Sequence, residues 1–496
     1  MKKLFRIKLS HLLIFIVVSI NGCASYSFEN STKDQLKLLN FKPPENFSVI
    51  SQNIQDNGEI DSLKKWILTS NNQDLIELMN KAIANNSSIA IARSNLLKAT
   101  AIKNNARGDL LPKGNLGIAA NQQRTRLEKS PRTTSYKSNI GVSWELDLFG
   151  KNLDNYQAKS YNLLATNLQL HYTQQVVLSQ LLRSWLGANS AHLQILEAKK
   201  NLELLIQKKN IFEMRYQSGT GTIDAIAQIK NEINQAKTNI RNLEFNKKNF
   251  LRNIQVLIGE YPDGKLRFSN RMIETRNNLN LKPPVELLQN RPDVLSAYIE
   301  LLSKKAELAS ALKNKWLPTL SFSIEGSTTA NIFADILTSP NIWNLGLQLI
   351  KNIFSNQEQQ KLKLANEDEA QALINYVAKV IEAFEETENA IEDEVIAQNN
   401  QRDAKSSLKR SENLFTIANN RYQSGLIDAE VWIERLRAKH SAHQQWLSAY
   451  EKWLTAQINV LMALGDNSIV DDFKENSNNR KFGLSRTINS SENEIN

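Results

Sequence analysis

The 496-residue chain carries 61 lysines and arginines against 51 aspartates and glutamates, a net charge of +10, with four positives (Lys2, Lys3, Arg6, Lys8) in the first ten residues. The remaining excess is thinly spread and no basic cluster is interleaved with aromatics, which argues against a nucleic-acid partner. A mean hydropathy of −0.42, and the lack of an uninterrupted apolar run of ~20 residues, exclude a helical membrane protein.

Behind the basic start runs Leu12–Val18, apolar but too short to be an anchor, so residues 1–22 read as a secretory signal. Cys23 is the only cysteine, which excludes disulfides within the chain and a thiolate metal cluster. Its place after Gly22 resembles a lipobox, where the cysteine becomes the lipidated mature N-terminus. Ala24, in place of an aspartate, points to the outer membrane. Residues 23–60 are polar and irregular, with Pro43-Pro44, and read as a tether and packed extension.

A helical pattern over 72–109 passes through Leu75, Leu78, Ala82, Ile89 and Leu96 and stops near Leu111-Pro112. The period then changes. Leu116, Ile118 and Ala120 alternate with Asn115, Gly117 and Asn121, and after a polar loop Ile140, Val142, Trp144, Leu146 and Leu148 alternate with polar residues. That is a hairpin with one apolar face. Leu320, Phe322 and Ile324, then Trp343, Leu345, Leu347 and Leu349, repeat it. Strands of ~10 residues fit a tilted membrane strand. No second sheet is available to cover their apolar faces, so a membrane barrel is expected.

Long helical patterns follow each hairpin, at about 151–214 and 356–420, with apolar residues stepping by 3 and 4 as in a coiled-coil seam. At 1.5 Å per residue each would reach ~95 Å. Shorter returning helices are expected at 222–258 and 426–464, and one at 292–315 behind Pro292, which suits a first helical position. End-to-end stacking of 222–258 with 292–315, and of 426–464 with 72–109, would bracket the long helices in length. The breaks would then meet in an equatorial belt.

The chain is duplicated. Arg215-Tyr216-Gln217-Ser218-Gly219 recurs as Arg421-Tyr422-Gln423-Ser424-Gly425, 206 residues on, and Leu111-Pro112 as Leu317-Pro318 at the same offset. Ile223-Asp224-Ala225 recurs as Ile427-Asp428-Ala429 at 204. Each pentapeptide sits between long helical patterns, and a closing glycine marks it as the tip of a helical hairpin. The organisation is a first repeat over 61–262 (strands about 113–149), a linker at 263–284, a second repeat over 285–466 (strands about 317–351), and a segment at 467–496 ending in a disordered tail.

These pieces resemble the TolC-like outer membrane efflux proteins, in particular their OprM-like lipoprotein branch. Leu287-Leu288-Gln289-Asn290-Arg291-Pro292-Asp293 is similar to that family's most recognisable motif, Trp144–Lys151 to its strand-to-helix passage, and the two Arg-Tyr-x-x-Gly tips to its periplasmic turns. One departure is Lys351–Asn356, which lacks the proline and glycines of the second passage. The resemblance implies a mainly α fold with a small membrane β-barrel: a homotrimer with a 12-stranded barrel on a long periplasmic α-helical barrel. It implies a passive duct for small toxic compounds, working with a periplasmic adaptor and an inner-membrane pump. Protein secretion, or an envelope-spanning structural role without a pore, are the alternatives. Both tips would dock the adaptor and form the gate, with Tyr216, Arg421 and Tyr422 bonding to neighbouring acids. Glu434, nine residues after Gly425, aligns with the family's acidic constriction, with Asp428 and Glu430 as further candidates.

Catalytic chemistry is not legible. The histidines are His11, His171, His192, His440 and His443. His440 and His443, three apart on a helix, could share a metal, but no acid or cysteine sits one further turn away, so a solvated or interhelical role is expected. Gly219-Thr220-Gly221 lacks the strand and spacing of a phosphate loop. No enzyme activity, cofactor or metal is expected.

Overall fold

The computed structural model describes residues 63, 66–67, 72–123, 133–266 and 290–465. The signal segment, the whole 23–60 tether with Cys23, most of the 263–284 linker and the 467–496 tail lie outside the described residues.

The helix expected over 72–109 is two helices, α1 (Gln73–Asn85) and α2 (Ser87–Gly108). Asn86 breaks the run with an extended backbone (φ −65°, ψ 129°), and its Oδ1 accepts from the backbone N–H groups of Ser88 and Ile89 at 2.9 and 3.2 Å. An asparagine cap of this kind stabilises a helix start by ~1 kcal/mol. The Asn86 amide also donates to the Leu257 carbonyl at 3.0 Å, so the break is itself a contact.

Four strands follow the expected alternation: β1 (Lys113–Gln123), β2 (Thr133–Leu146), β3 (Thr319–Ala330) and β4 (Ile342–Ile350). They form one antiparallel sheet in the order β1-β2-β3-β4, which joins the two hairpins through β2 and β3. Leu116 lies opposite Ile140, Val142 opposite Ile324, and Phe322 opposite both Trp144 and Leu347. Directly opposed residues share a face, so the apolar alternants of all four strands make one surface. Asn115, Asn139, Ser323, Glu325 and Gln348 belong to the other. The apolar surface is open: Leu116 and Leu345 are each 75% exposed and Trp343 67%. β1 and β4 each have one neighbour and one free edge among the described residues.

Two unbroken helices descend from the sheet, α3 (Lys151–Gln217, 67 residues) and α6 (Asn356–Gln423, 68 residues), each ~100 Å long. α3 starts behind Gly150 in a left-handed conformation, φ 71°. The passage into α6 turns on Ser355, whose Oγ accepts from the Glu358 N–H at 3.2 Å. A serine cap therefore serves where the resembled family uses proline and glycine. α4 (Ile223–Leu257), α5 (Pro292–Trp316) and α7 (Ala429–Leu464) complete the set. α3 packs between α2 with α4 on one flank and α5 with α7 on the other, and α6 packs on the far flank of α5 and α7. The main core lies midway along α3, where Leu182, Trp185 and Leu186 meet Leu75 and Leu78 of α1, Leu251 and Ile254 of α4, and Trp453 and Leu454 of α7.

The broken columns stack within each repeat, not across repeats as the lengths suggested. Gly259, just past α4, abuts Asn85 at the α1–α2 break, and Gly465, just past α7, abuts Asn290 and Arg291 at the start of α5. The reason is connectivity: a short tip turn lays α4 along α3, and the β1–β2 hairpin lays α2 along the same helix. The α7–α5 joint is tight. A Cβ on Gly465 would lie 2.6 Å from the Asn290 carbonyl oxygen, and Gly465 has φ 76°, where an L side chain is strained.

Arg291 fastens that joint. Its guanidinium, with a side chain only 3% exposed, donates Nε to Asp293 Oδ1 at 3.1 Å and Nη2 to Asp293 Oδ2 at 2.8 Å. It also bonds Glu386 of α6 at 2.5 Å and the Ala463 carbonyl of α7 at 3.3 Å. Burial alone would raise the Asp293 carboxyl; the Arg291 guanidinium outweighs it and holds the acid below its ordinary value of 3.8. Asp293 therefore contributes stability that is complete above pH ~3.8 and is lost as pH falls through the lower folded value. Removing one partner of a buried pair leaves the other charge uncompensated, so Arg291→Ala should cost ~3–5 kcal/mol. Thermal unfolding followed by far-UV circular dichroism in detergent checks this, and Asp293→Asn should remove part of the acid sensitivity.

Candidate functional site: the helix tips

The two tips are built alike. Ser218 and Ser424 end the long helices, and Gly219 (φ 74°) and Gly425 (φ 68°) take the left-handed conformation. The Gly219 N–H donates to the Tyr216 carbonyl at 3.0 Å and the Thr220 N–H to that of Arg215 at 2.8 Å. In the second copy Gly425 donates to Tyr422 at 3.0 Å and Leu426 to Arg421 at 2.8 Å. This pairing satisfies the last carbonyls of a helix that would otherwise lack partners. A Cβ on either glycine would meet nothing within 4 Å. The glycines are required by backbone conformation, and open space lies over them.

Around this common frame the side chains differ. Arg215 donates Nη1 to Glu430 at 2.7 Å and Nη2 to Asp428 at 3.5 Å, which ties the end of α3 to the start of α7. Arg421, its counterpart, is exposed, as is Tyr216. Tyr422 stacks on Trp432 with ring centroids 5.4 Å apart, and the Trp432 indole N–H donates to Asn419 Oδ1 at 3.0 Å. At the offset of 204 the first copy has Ile226 where the second has Glu430, Gln228 for Trp432, and Lys230 for Glu434. Glu430, Glu434 and the aromatic lock thus belong to one tip only, while Asp428 has a counterpart in Asp224.

Glu434 lies one turn further in, 45% exposed, bound to Lys208 of α3 at 2.5 Å and Arg437 at 3.0 Å. Arg437 continues to Glu232 of α4 at 3.1 Å, so one chain of charges links α3, α7 and α4. Burial pushes the Glu434 carboxyl up, but the Lys208 ammonium and Arg437 outweigh it and hold it low. Asp428 stands apart, with a side chain 79% exposed.

His440 and His443 are interhelical. Both turn on Glu197 of α3, a carboxylate 9% exposed, with Nδ1–oxygen distances of 2.5 and 3.5 Å. The acid missing from their own helix comes from its neighbour, and Lys200 completes the cluster at 3.0 Å. Among the described residues no group of three His, Cys, Asp or Glu is arranged to hold a metal ion. Sequence reasoning missed Arg215 as the bonded arginine, Lys208 and Arg437 as the partners of Glu434, and Trp432 as that of Tyr422. The signal available was the acid pair Asp428 and Glu430, which occurs after the second tip alone.

Comparison with known proteins places this geometry. The outer membrane efflux protein family model matches residues 78–260 and 284–466. The chain is 23% identical over 423 residues to the pyoverdine export outer membrane protein OpmQ of Pseudomonas aeruginosa, covering 82% of this chain and 88% of that one. It is 23% identical over 400 residues to the probable outer membrane lipoprotein SilC of Salmonella typhimurium, covering 78% and 85%. Among solved structures, the Campylobacter jejuni CmeC outer membrane channel superposes with a TM-score of 0.76 at 19% identity, over 88% of this chain and 95% of that one. The fold is therefore TolC-like. The chain belongs to the outer membrane efflux protein family.

Proposed function

We propose that the protein is the outer-membrane duct of a tripartite efflux system, passive in itself and supplied by an inner-membrane pump through a periplasmic adaptor. The observation that carries this reading is the sheet: one apolar face open to its surroundings, one polar face, and two free edges. In lipid, unpaired edges leave backbone groups unsatisfied. Four strands are too few to close, since the smallest bacterial membrane barrels have ~8. Three copies would join β4 of one to β1 of the next and make twelve. The polar faces, with Asn115, Asn139, Ser323 and Gln348, would then line a wet lumen. Small solutes are favoured over secreted proteins as cargo, because OpmQ is named for pyoverdine export and CusC of Escherichia coli for cation efflux. A duct of this kind needs no catalysis.

The six tips of such a trimer would ring its periplasmic opening. The bare glycines at 219 and 425 support close approach by an adaptor. Arg215 bound to Glu430 and Tyr422 stacked on Trp432 support a closed resting state. Glu434 is balanced by two bases and Glu430 by Arg215, which supports the exposed Asp428 as the larger part of any acidic ring. Cys23 would carry lipid, in keeping with the SilC description.

Planar-bilayer reconstitution should give discrete conductance steps, and native mass spectrometry in mild detergent a trimer. The absence of any steps would favour a structural role without a pore. Arg215→Ala combined with Tyr422→Ala should raise conductance while costing little stability, since exposed pairs are worth ~0–1 kcal/mol. Asp428→Asn should weaken cation preference more than Glu434→Ala. Unchanged conductance and selectivity in all three would leave the tips as a docking surface only. Labelled fatty acid should be incorporated by the wild type and not by Cys23→Ser.

A further inference from the structure

The apolar face of the sheet changes character near its far end. Rows of apolar side chains cross the strands from Leu146 upward, and the last of them is Leu116–Ile140–Gly326–Trp343. The next row is Ile118–Ser138–Thr328. Asn341, two residues before Trp343, joins that row, because the Thr328 hydroxyl donates to its Oδ1. Side chains on one face recur every two residues, ~6.8 Å along a strand, which is ~5 Å of height at a tilt of ~40°. Ser138 follows Leu146 by four such steps and stands ~21 Å above it, near the upper limit of an apolar band ~25 Å tall.

A hollow of about 220 Å³ opens between these two rows. Its floor is short and polar: Ser138 is half-buried and Thr328 is 4% exposed. Its walls are the longer, exposed side chains of Leu116, Ile140, Trp343 and Asn341. The Trp343 ring lies over Gly326, 3.1 Å from where a Cβ would stand, so the bare position lets the indole lean onto the sheet and hold that wall. Just beyond the hollow Phe333 meets Tyr136 edge-on, with centroids 5.6 Å apart.

The polar groups on the floor are not spent on one another. The Ser138 hydroxyl has no side-chain bond among the described residues, and the Asn341 amide is engaged there only through its oxygen. Thr328 has given its proton to Asn341, so its oxygen can only accept. In lipid, groups of this kind are costly unless a ligand meets them.

We infer that the hollow binds one lipid of the outer leaflet, of the class that carries an amide or hydroxyl at the head of its acyl chain, as lipid A does. The chain would run down over Leu116 and Ile140 against the Trp343 ring. Its amide or hydroxyl would give a proton to Thr328 and accept from Ser138 or the Asn341 amide. The ester carbonyls of a glycerophospholipid at the same level accept but do not donate, and leave the Thr328 oxygen unmet. The inference rests on reading the sheet as the lipid-facing wall of a barrel, and adds a specific site to that wall.

The test uses the full chain purified in mild detergent. Lipid A or phosphatidylethanolamine is added in equal amounts, and the lipid retained by the trimer is counted by native mass spectrometry. Collisional activation releases such lipid and leaves an acyl group on Cys23 in place, which keeps the two apart. The wild type should retain lipid A at one per chain, and phosphatidylethanolamine about ten-fold less. Ser138→Phe fills the hollow and should lower lipid A retention about ten-fold. Asn341→Ala removes a donor, leaves the apolar walls, and should bring lipid A down to the level of phosphatidylethanolamine. Leu347→Phe, on the same face nearer the helices, should change nothing. Circular dichroism and the trimer count confirm that each variant folds and assembles. Equal retention by the wild type and every variant would mark the lipid as adventitious only and overturn the inference. Trimers that keep no lipid A, or keep both lipids equally, would also overturn it while leaving the barrel reading intact. A chain recovered from cells in the soluble fraction without detergent would overturn the barrel reading and this inference with it.

Discussion

A buried guanidinium governs how the helices of this chain meet. Arg291 is nearly sealed from water, so its charge has to be met by protein. Asp293 meets it with two parallel bonds, and Glu386 and the Ala463 carbonyl meet what remains. The partners come from three helices, so satisfying one side chain fixes three helix positions together. Pro292 starts α5 at that point and Gly465 leaves no room for a side chain behind it. The equivalent joint in the first repeat has no buried ion pair among the described residues, only the half-exposed Lys81–Glu260 contact at 3.8 Å. It relies on the Asn86 amide bonded to the Leu257 carbonyl. The duplication therefore kept the geometry of the joint and changed its chemistry.

Above the joint the constraint is the sheet. Its register puts every apolar alternant on one face, and a slip of one residue would turn each of them to the polar side. That register is the reason a sheet of four strands can be half fit for lipid and half fit for water. Among the described residues it leaves two edges unpaired, and the flanks of the helical row below are unpaired in the same sense. Both incompletenesses belong to the same two sides of the protomer.

What the sequence made legible was what has a period. Strand alternation and the long helical runs were readable because burial follows spacing, and the repeat because its tips use the same five residues. The break at Asn86 was hidden, since the apolar pattern from Leu75 to Leu96 runs across it in register and asparagine is common in this chain. Which columns stack was hidden as well: periodicity tells which residues are covered, not what covers them. At the tips, Arg215 and Arg421 sit in identical pentapeptides. They differ because α3 lies against α7, which brings the acids of the second copy to the arginine of the first. Glu197 between His440 and His443 was out of reach for the same reason, being 243 residues from one of them.

The continuity of α3 and α6 beside two jointed columns has a mechanical consequence. Each rod is one unbroken helix, while each column is two helices that meet end to end. Below Leu186, α3 runs a further 31 residues to Gln217, a lever arm of ~46 Å at 1.5 Å per residue. A tilt of about 5° at the level of the joint would carry its free end ~4 Å sideways over that arm, which is more than the Arg215–Glu430 distance of 2.7 Å can follow unbroken. A small rotation at the level of Trp185 is thus amplified at the far end into a displacement large enough to part side chains.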